Sequence, residues 1–452
     1  MPVHPLRLSI LLFVLCSTLS LRSARAGSGG DGTLDPAWGG DGISGGFTNT
    51  VPRSAFVSHD QQLYFTGRTT LPDETEMEWW RTQNSGDDSW YGCTYGLPFL
   101  DHFDIRATLV DVSGHLLFAG TVTVFGSESV ERAFVARFTQ TEVCSLDSAF
   151  SGDGWEIFDD TTFCDDEDCR LIDIEASNDS STRYVALLES VQNALISKYY
   201  LVGLTQSGAL DPNFGSGGFA PVTAANLGLL GGGSGELGID RSNRPYVLLS
   251  FYDPLADFDL DTALTRFQSD GDLDTTFGVS GSYFVHNGDT VDTVPLALTV
   301  GSDGRLALTY RLLDTTFSGL VVFDASMNLL RSTTSTPIES RALAFDGLGR
   351  LLVANDRLGQ DGFLVTRYAK DSSGAFALDA TFGSGGNVQV DIDGGGANNE
   401  VPIDLQLVAG RPMVLVDANQ DGGGSQAFLV RLETHLIFAD SFDWGTTRYW
   451  TN

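Results

Sequence analysis

The chain has 452 residues, 59 of them acidic against 26 basic, for a formal net charge of −33. A field of that sign repels phosphate backbones and anionic lipid, which argues against nucleic acid as a partner. The 52 glycines follow no Gly-X-Y period, so collagen is excluded; they cluster with Asp, Thr and Ser between short apolar runs, as strands are punctuated in an all-β chain.

The first element is a targeting segment. Arg7 gives a basic start, residues 8–15 are a short apolar run, and Ala24-Arg25-Ala26 fits the small-x-small cleavage rule. The run is shorter than the roughly 20 residues a membrane helix needs, and no later stretch is long and apolar enough to span. Residues 1–26 are therefore expected to be a signal peptide cleaved near Ala26. The mature chain is expected to be secreted, extracellular or periplasmic, and monomeric.

A phrase then recurs along the chain. Gly32-Thr-Leu-Asp-Pro-Ala-Trp38-Gly-Gly-Asp-Gly42 is followed by Ser145-Leu-Asp-Ser-Ala-Phe150-Ser-Gly-Asp-Gly154 and Gly208-Ala-Leu-Asp-Pro-Asn-Phe214-Gly-Ser-Gly-Gly218. Gly271-Asp-Leu-Asp-Thr-Thr-Phe277-Gly-Val-Ser-Gly281 and Ala377-Leu-Asp-Ala-Thr-Phe382-Gly-Ser-Gly-Gly386 complete the clear copies, and a worn one sits at residues 327–330. Between them lie apolar strand–turn–strand segments at 55–67, 107–120, 172–187, 237–249, 296–309, 341–354 and 404–417. Polar-Gly turns such as Ser113-Gly114 and Asp303-Gly304 mark these as hairpins, recurring about every 58 residues. A third strand with an arginine near its end, such as 133–138, 263–267, 362–368 or 427–432, precedes most Leu-Asp turns, and a fourth, such as 386–391, follows.

Four short antiparallel strands per unit, repeated about four to eight times, is the pattern of a propeller blade. The expected fold is an all-β, seven-bladed β-propeller of four-stranded antiparallel blades over residues 27–435, closed by N- and C-terminal strands. The Leu-Asp-x-x-aromatic-Gly-x-x-Gly frame resembles the delta-60 repeat proteins of bacteria over nearly all of the mature chain. That resemblance implies a propeller-like fold and export, and no particular activity.

The repeated residues have structural work to do. Glycines supply positive φ, the aspartate caps its own turn, the aromatic fills the space between blades, and arginines such as Arg137 and Arg266 are placed to pair with Asp147 and Asp274. Candidate functional residues must lie elsewhere. Residues 71–103 break the repeat with an aromatic insertion, in which Trp79, Trp80, Trp90, Tyr91 and Tyr95 suit a platform for a sugar ring or a protein partner. Asp417, Asn419 and Asp421, followed by Gly422, match the first half of a calcium loop, but Phe428 stands where an EF-hand needs glutamate. Calcium is the one cofactor the sequence suggests.

Four cysteines follow the leader, and Cys164–Cys169 and Cys93–Cys144 are the favoured disulfides. Gly42-Ile-Ser44-Gly-Gly46 matches a nucleophile elbow in letters but lacks the strand-to-helix context and a histidine partner. His59, His102, His115, His286 and His435 form no close pair. The leading expectation is an exported module that binds a protein or glycan. The alternatives are an extracellular hydrolase or lyase with carboxylates at the channel mouth, and a calcium-stabilised structural protein. The tail, residues 436–452, breaks the repeat with an aromatic-acidic run.

Overall fold

The computed structural model describes residues 32–434 except 37, 39–40, 49, 58–62, 70–76, 82–90, 96–102, 112, 126–128, 140–144, 159–163, 165–167, 179–182, 194–195, 223–229, 254–258, 286–290, 314, 336–337, 373, 393–399 and 420–424. The leader, the tail, Cys144, Trp90 and Asp421 thus lie outside the described residues.

Alternating apolar and polar side chains commit each run to a short strand, and the polar-Gly turns fold successive strands back on one another. In chain order, β1 (Ile43–Thr48) stands alone before the first unit, β2 (Thr50–Val57), β3 (Leu63–Thr69), β4 (Met77–Arg81) and β5 (Tyr91–Tyr95). The second unit is β6 (Phe103–Val110), β7 (Leu116–Phe125), β8 (Ser129–Phe138) and β9 (Trp155–Ile157). The third is β10 (Asp168–Ala176), β11 (Tyr184–Asn193), β12 (Ile196–Leu204) and β13 (Phe219–Pro221). The fourth is β14 (Leu230–Ile239), β15 (Pro245–Asp253), β16 (Asp259–Arg266) and β17 (Ser282–Val285). The fifth is β18 (Thr293–Val300), β19 (Leu306–Leu312), β20 (Ser318–Phe323) and β21 (Leu329–Ser335). The sixth is β22 (Glu339–Phe345), β23 (Leu351–Asp356) and β24 (Phe363–Lys370), with both β25 (Phe376–Leu378) and β26 (Asn387–Val390) paired to β24. The last is β27 (Glu400–Val408), β28 (Arg411–Asn419) and β29 (Ser425–Arg431), to which β1 pairs antiparallel.

Among the described residues these strands make seven antiparallel sheets. The first strand of each sheet packs against the first strand of the next, in the order β2, β6, β10, β14, β18, β22, β27, and β27 packs against β2. The molecule is an all-β propeller of four-stranded antiparallel blades around a central channel. Each inner strand carries a register shift at the corresponding place, for example between Leu171 and Asp173 in β10 and between Pro402 and Asp404 in β27. Such bulges tighten the local twist.

The Leu-Asp phrase folds into one clasp, seen five times. In the second blade the Asp147 amide donates to the Arg137 carbonyl, Phe150 N–H to Asp147, Gly154 N–H to Phe150, and Arg137 N–H to Gly154. The same cycle joins Asp211, Phe214, Gly218 and Gly203; Asp274, Phe277, Gly281 and Arg266; Asp379, Phe382, Gly386 and Arg367; and Asp35, Trp38, Gly42 and Arg431. The closing glycine has φ between +87° and +108° in every copy, a conformation costly for any residue with a Cβ. One aspartate oxygen caps its own turn, as Asp274 Oδ1 accepts from Thr276 N–H at 3.1 Å. The other takes the arginine: Arg137–Asp147 and Arg266–Asp274 at 2.8 Å, Arg367–Asp379 at 2.9 Å. The guanidinium then lies over the buried aromatic ring, 4.8 Å from the Phe277 centroid and 4.5 Å from that of Phe382, a favourable cation–π placement.

In the third blade Gly203 replaces the arginine. A Cβ there would sit 2.5 Å from Phe214, and Arg183 supplies the guanidinium to Asp211 from the neighbouring hairpin turn. The clasp also sets blade against blade. Gly208 and Gly271 press on the rings of Phe150 and Phe214 of the preceding blades, where an added Cβ would come within 3.0 Å. Ser151 N–H donates to Ser207 and Gly215 N–H to Asp270 across the same seams.

Two expectations take a different form, and one disulfide stands as expected. Residues 71–103 are not an inserted loop: β4 and β5 are the third and fourth strands of the first blade. At the worn copy, β21 follows a bare turn in which Asp324 accepts from Ser326 and Asn328. Cys164 and Cys169 are bonded, with Cα atoms 5.3 Å apart, while the Cys93 side chain and Cys144 are outside the described residues.

Burial alone would raise the Asp274 carboxyl, but Thr276 and the Arg266 guanidinium outweigh it and hold it below the usual range; Asp379, beside Thr381 and Arg367, is held down likewise. These carboxylates stabilise the fold above the ordinary aspartate range, and that contribution is lost as pH falls through their lowered values. Removing one partner of a buried pair strands the other. Asp274→Ala is expected to cost about 3 kcal/mol in urea unfolding, while Asp272→Ala, two residues away and exposed, stays within about 0.5 kcal/mol.

Candidate functional site

Antiparallel connectivity divides the propeller into two ends. The first-to-second and third-to-fourth strand connections share one end, which holds the hairpin turns and the clasps. The second-to-third connections and the crossovers between blades share the other, where lengths and sequences follow no repeat: 254–258 and 357–362 within blades, 336–338 and 391–399 between them. At the turn end the polar groups are engaged. Asp111, Asp240 and Asp346 each accept two amides of their own turn. His115 Nδ1 lies 2.9 Å from Asp111, which also accepts from the Tyr184 hydroxyl at 2.7 Å.

The channel is acidic. Asp173 and Asp404 stand just after the bulges of β10 and β27 and make equivalent contacts. Asp173 Oδ1 accepts from Ile174 N–H at 2.7 Å and Oδ2 from Leu237 N–H of the next blade at 2.9 Å. Asp404 accepts from Leu405 N–H at 2.7 Å and from Ala55 N–H of the first blade at 2.8 Å. Glu175 on β10 and Glu236 on β14 join them. The third and fourth blades are not neighbours of the blade that holds Asp404, so the field Asp404 exerts on Asp173 and Glu236 crosses the channel.

By area these side chains are half-buried. Burial first, and then repulsion from Asp404, push Asp173 up to about 7. Burial and Asp173 push Glu175 up to about 8. Glu236 is driven well above its ordinary value by burial and by Asp173, Asp404 and Glu175. Burial also raises Asp404, against the amides of Ala55 and Leu405. Carboxylic acids that keep protons near neutrality are able to donate as well as accept hydrogen bonds.

A second acidic group lies at the crossover end, between the last two blades. Asp361, Asp391 and Glu400 place one oxygen each within 4.8 Å of one another. Glu400 is 2% exposed and accepts from Gly362 N–H at 2.9 Å. Oxygen ligands at that separation suit a hard cation.

The proposed calcium residues fall beside this group. Asp417 lies within β28 opposite Val401, one register position from Glu400, and Asn419 ends the strand. Strand alternation puts Asp417 on the face opposite to Glu400. Of the aromatic candidates, Trp80 is partly buried and stacks on Phe65, centroids 4.8 Å apart at 18°, with Phe47 at 5.4 Å; it is a packing residue of the first blade. Trp79 pairs in register with Cys93, Arg81 with Tyr91 and Met77 with Tyr95, which places the aromatic segment along the outer edge of that blade. The side chains of Trp79, Tyr91 and Tyr95 are outside the described residues.

No family model matches the chain, and no curated protein matches it. Among solved structures it is similar to the polysaccharide lyase Uly1, with 10% identity, 86% of this chain and 90% of that one covered, and a TM-score of 0.51. A protein of unknown function from Dyadobacter fermentans DSM 18053 gives 10% identity, 87% and 98% coverage and a TM-score of 0.46. The Dos1 propeller gives 9%, 84%, 78% and 0.44. At these identities the likeness is one of fold.

Trp80→Ala removes a stacked core aromatic and is expected to destabilise the protein by about 3 kcal/mol in chemical denaturation. A cost near zero would return Trp80 to the list of surface residues.

Proposed function

We propose that the chain is an exported seven-bladed propeller, closed by pairing of its two ends, that binds a protein or glycan through the outer half of its first blade. One observation carries this reading. The first blade has β4 and β5, with Trp79, Tyr91 and Tyr95 in their sequence, where five others have the Asp–Arg–aromatic clasp. Clasp residues are consumed by the fold; the first blade does without the clasp and carries three further aromatics in its sequence beside Trp80. Aromatic side chains give large contact area at small entropic cost. The resemblance of the repeat to delta-60 proteins accords with export and leaves the ligand open.

The test is a glycan array, with neutral and acidic polysaccharides, probed with the wild-type chain and with the Trp79→Ala and Tyr95→Ala variants. Binding is expected to fall at least about tenfold in each variant, equivalent to about 1.4 kcal/mol, with an unchanged melting temperature. Equal binding by both variants would move the site elsewhere. Depolymerisation of any array glycan would instead favour a hydrolase or lyase working through the channel carboxylates.

Calcium is the second candidate ligand, and the proximity of Asp361, Asp391 and Glu400 is what favours it. A cation bound only by the folded state, at about 100 times its dissociation constant, adds roughly 2.7 kcal/mol. Calcium is therefore expected to raise the melting temperature over chelator at constant ionic strength, and Asp391→Asn to remove most of the rise. A shift that instead vanishes in Asp421→Asn would assign the ion to the Asp417–Asn419–Asp421 segment.

A further inference from the structure

The fifth blade lacks the clasp, and its seam with the sixth is built differently. No ring follows the bare turn at Asp324. Instead Phe376 of β25, in the sixth blade, is buried against Ala307, Leu320 and Val322 of the fifth. Arg331 of β21 donates to the Phe376 carbonyl at 3.1 Å, and its guanidinium lies 4.7 Å from the centroid of Tyr368 on β24. Lys370 stands opposite Phe376 in register. Leu329 and Leu378 lie two residues from the two ends of the Arg331–Phe376 bond, and they are 52% and 47% exposed. Leu378 is the leucine of the Leu-Asp frame. Its counterparts Leu34, Leu146, Leu210 and Leu273 are buried or partly buried.

Single exposed leucines are ordinary on a protein surface. These two flank two cations that make no ion pair among the described residues, in a chain with 59 acidic and 26 basic residues. Asp324 lies in the field of Lys370, but its oxygens are taken up by Asn328 and by Ser326 N–H. Asp371 accepts from Ala375 N–H at 3.0 Å. The patch therefore offers apolar surface together with cationic donors, and it suits a segment that carries both aromatic and acidic residues.

The chain holds such a segment close by. Glu433 N–H donates to Thr33, Gly32 N–H donates to Glu433, and the Thr434 hydroxyl donates to Gly410 at 3.0 Å. Gly32 in turn presses on the sixth blade's clasp, where an added Cβ would come 2.7 Å from Val388 and 3.0 Å from Phe382. The residues after Thr434 thus leave the last blade at the turn end, beside the clasp that begins at Leu378. They include Phe438, Asp440, Phe442, Asp443 and Trp444. Fully extended, residues 435–443 reach about 30 Å, against a spacing of about 10 Å between packed sheets.

We propose that the segment following Thr434 docks on this patch and straps the last blade across the sixth to the fifth. Phe438, Phe442 and Trp444 cover Leu329 and Leu378, and Asp440 and Asp443 face Lys370 and Arg331. Tethering decides between this segment and an acidic peptide of another protein. A net charge of −33 repels an acidic partner arriving from solution, whereas a segment joined by a few residues is present at about millimolar effective concentration.

The test is chymotrypsin cleavage of the folded full chain, followed by mass spectrometry at Phe438, Phe442 and Trp444. In Leu329→Ser/Leu378→Ser these sites are expected to be cut about tenfold faster than in the wild type, the change when a segment docked about 90% of the time is released. Leu348→Ser, at an exposed leucine outside the patch, is expected to leave the rate unchanged. Lys370→Glu is expected to quicken cleavage, and adding Asp440→Lys and Asp443→Lys to it to slow cleavage again. Equal rates in the wild type and the patch variants would overturn the strap, as would a charge exchange that brings no recovery. A wild-type chain found dimeric by light scattering, and made monomeric by Leu329→Ser/Leu378→Ser, would give the patch to a second copy and overturn it too. If the leucine variant fails to fold, Lys370→Glu, which alters an exposed side chain, carries the comparison alone.

Discussion

The clasp of aspartate, arginine and aromatic ring is the contact on which the propeller depends. A four-stranded blade is too small to bury its own faces, so it gains a core only by stacking on its neighbours. The clasp supplies the means. Its backbone cycle fixes the turn between the third and fourth strands, the arginine lies between turn aspartate and ring, and the ring meets a glycine of the next blade. Each ring buries wholly or nearly so, a gain of about 1.5–3 kcal/mol. The ion pair itself is close to neutral in net energy, because both charges lose water. Its value is positional: it sets where the ring stands, and so how far one blade turns from the last.

A ring made this way carries a second constraint. Blades that pack side by side bring their inner strands to a common axis, and whatever those strands carry is forced together. Bulges at equivalent positions place Asp173 and Asp404 where each takes an amide from the following blade. Glu175 and Glu236 lie on the same inner strands, β10 and β14. Clasp and channel therefore oppose one another in their proton linkage. The clasp aspartates are held below the usual carboxylate range by their arginines, whereas burial pushes the inner-strand carboxylates above it.

Most of the architecture was legible because a repeat prints the same local physics many times. Leu-Asp-x-x-aromatic-Gly is readable since each residue has a local task, and the Arg137–Asp147 and Arg266–Asp274 pairs follow from that spacing. Three features were hidden for physical reasons. The link between β4 and β5, residues 82–90, carries Ser85-Gly86 but not the Leu-Asp-x-x-aromatic-Gly frame, so the outer half of the first blade reads as an insertion. Trp80 looks like a ligand platform until its pairing with Phe65 is known. The inner-strand aspartates Asp173 and Asp404 are far apart in sequence, and the amide each takes from the following blade is formed only once blades pack side by side. Their one sequence trace is the repeated Ile172-Asp173-Ile174 and Ile403-Asp404-Leu405 at the same place in two hairpins.

The division between the two ends bears on where new function can arise. At the turn end, a change to the clasp disturbs both its own blade and the seam with the next. At the crossover end and along the outer half of the first blade, connections of unequal length hang from strands whose positions the clasps already secure. Substitution there alters what the surface presents without altering how the blades meet. A propeller built on this plan keeps a rigid repeat on one side and a tolerant one on the other. The acidic group of Asp361, Asp391 and Glu400 belongs to the tolerant side, where two blades and a crossover contribute one oxygen each. Its oxygens are brought together by a blade seam, so any ligand held there would report directly on whether that seam is shut.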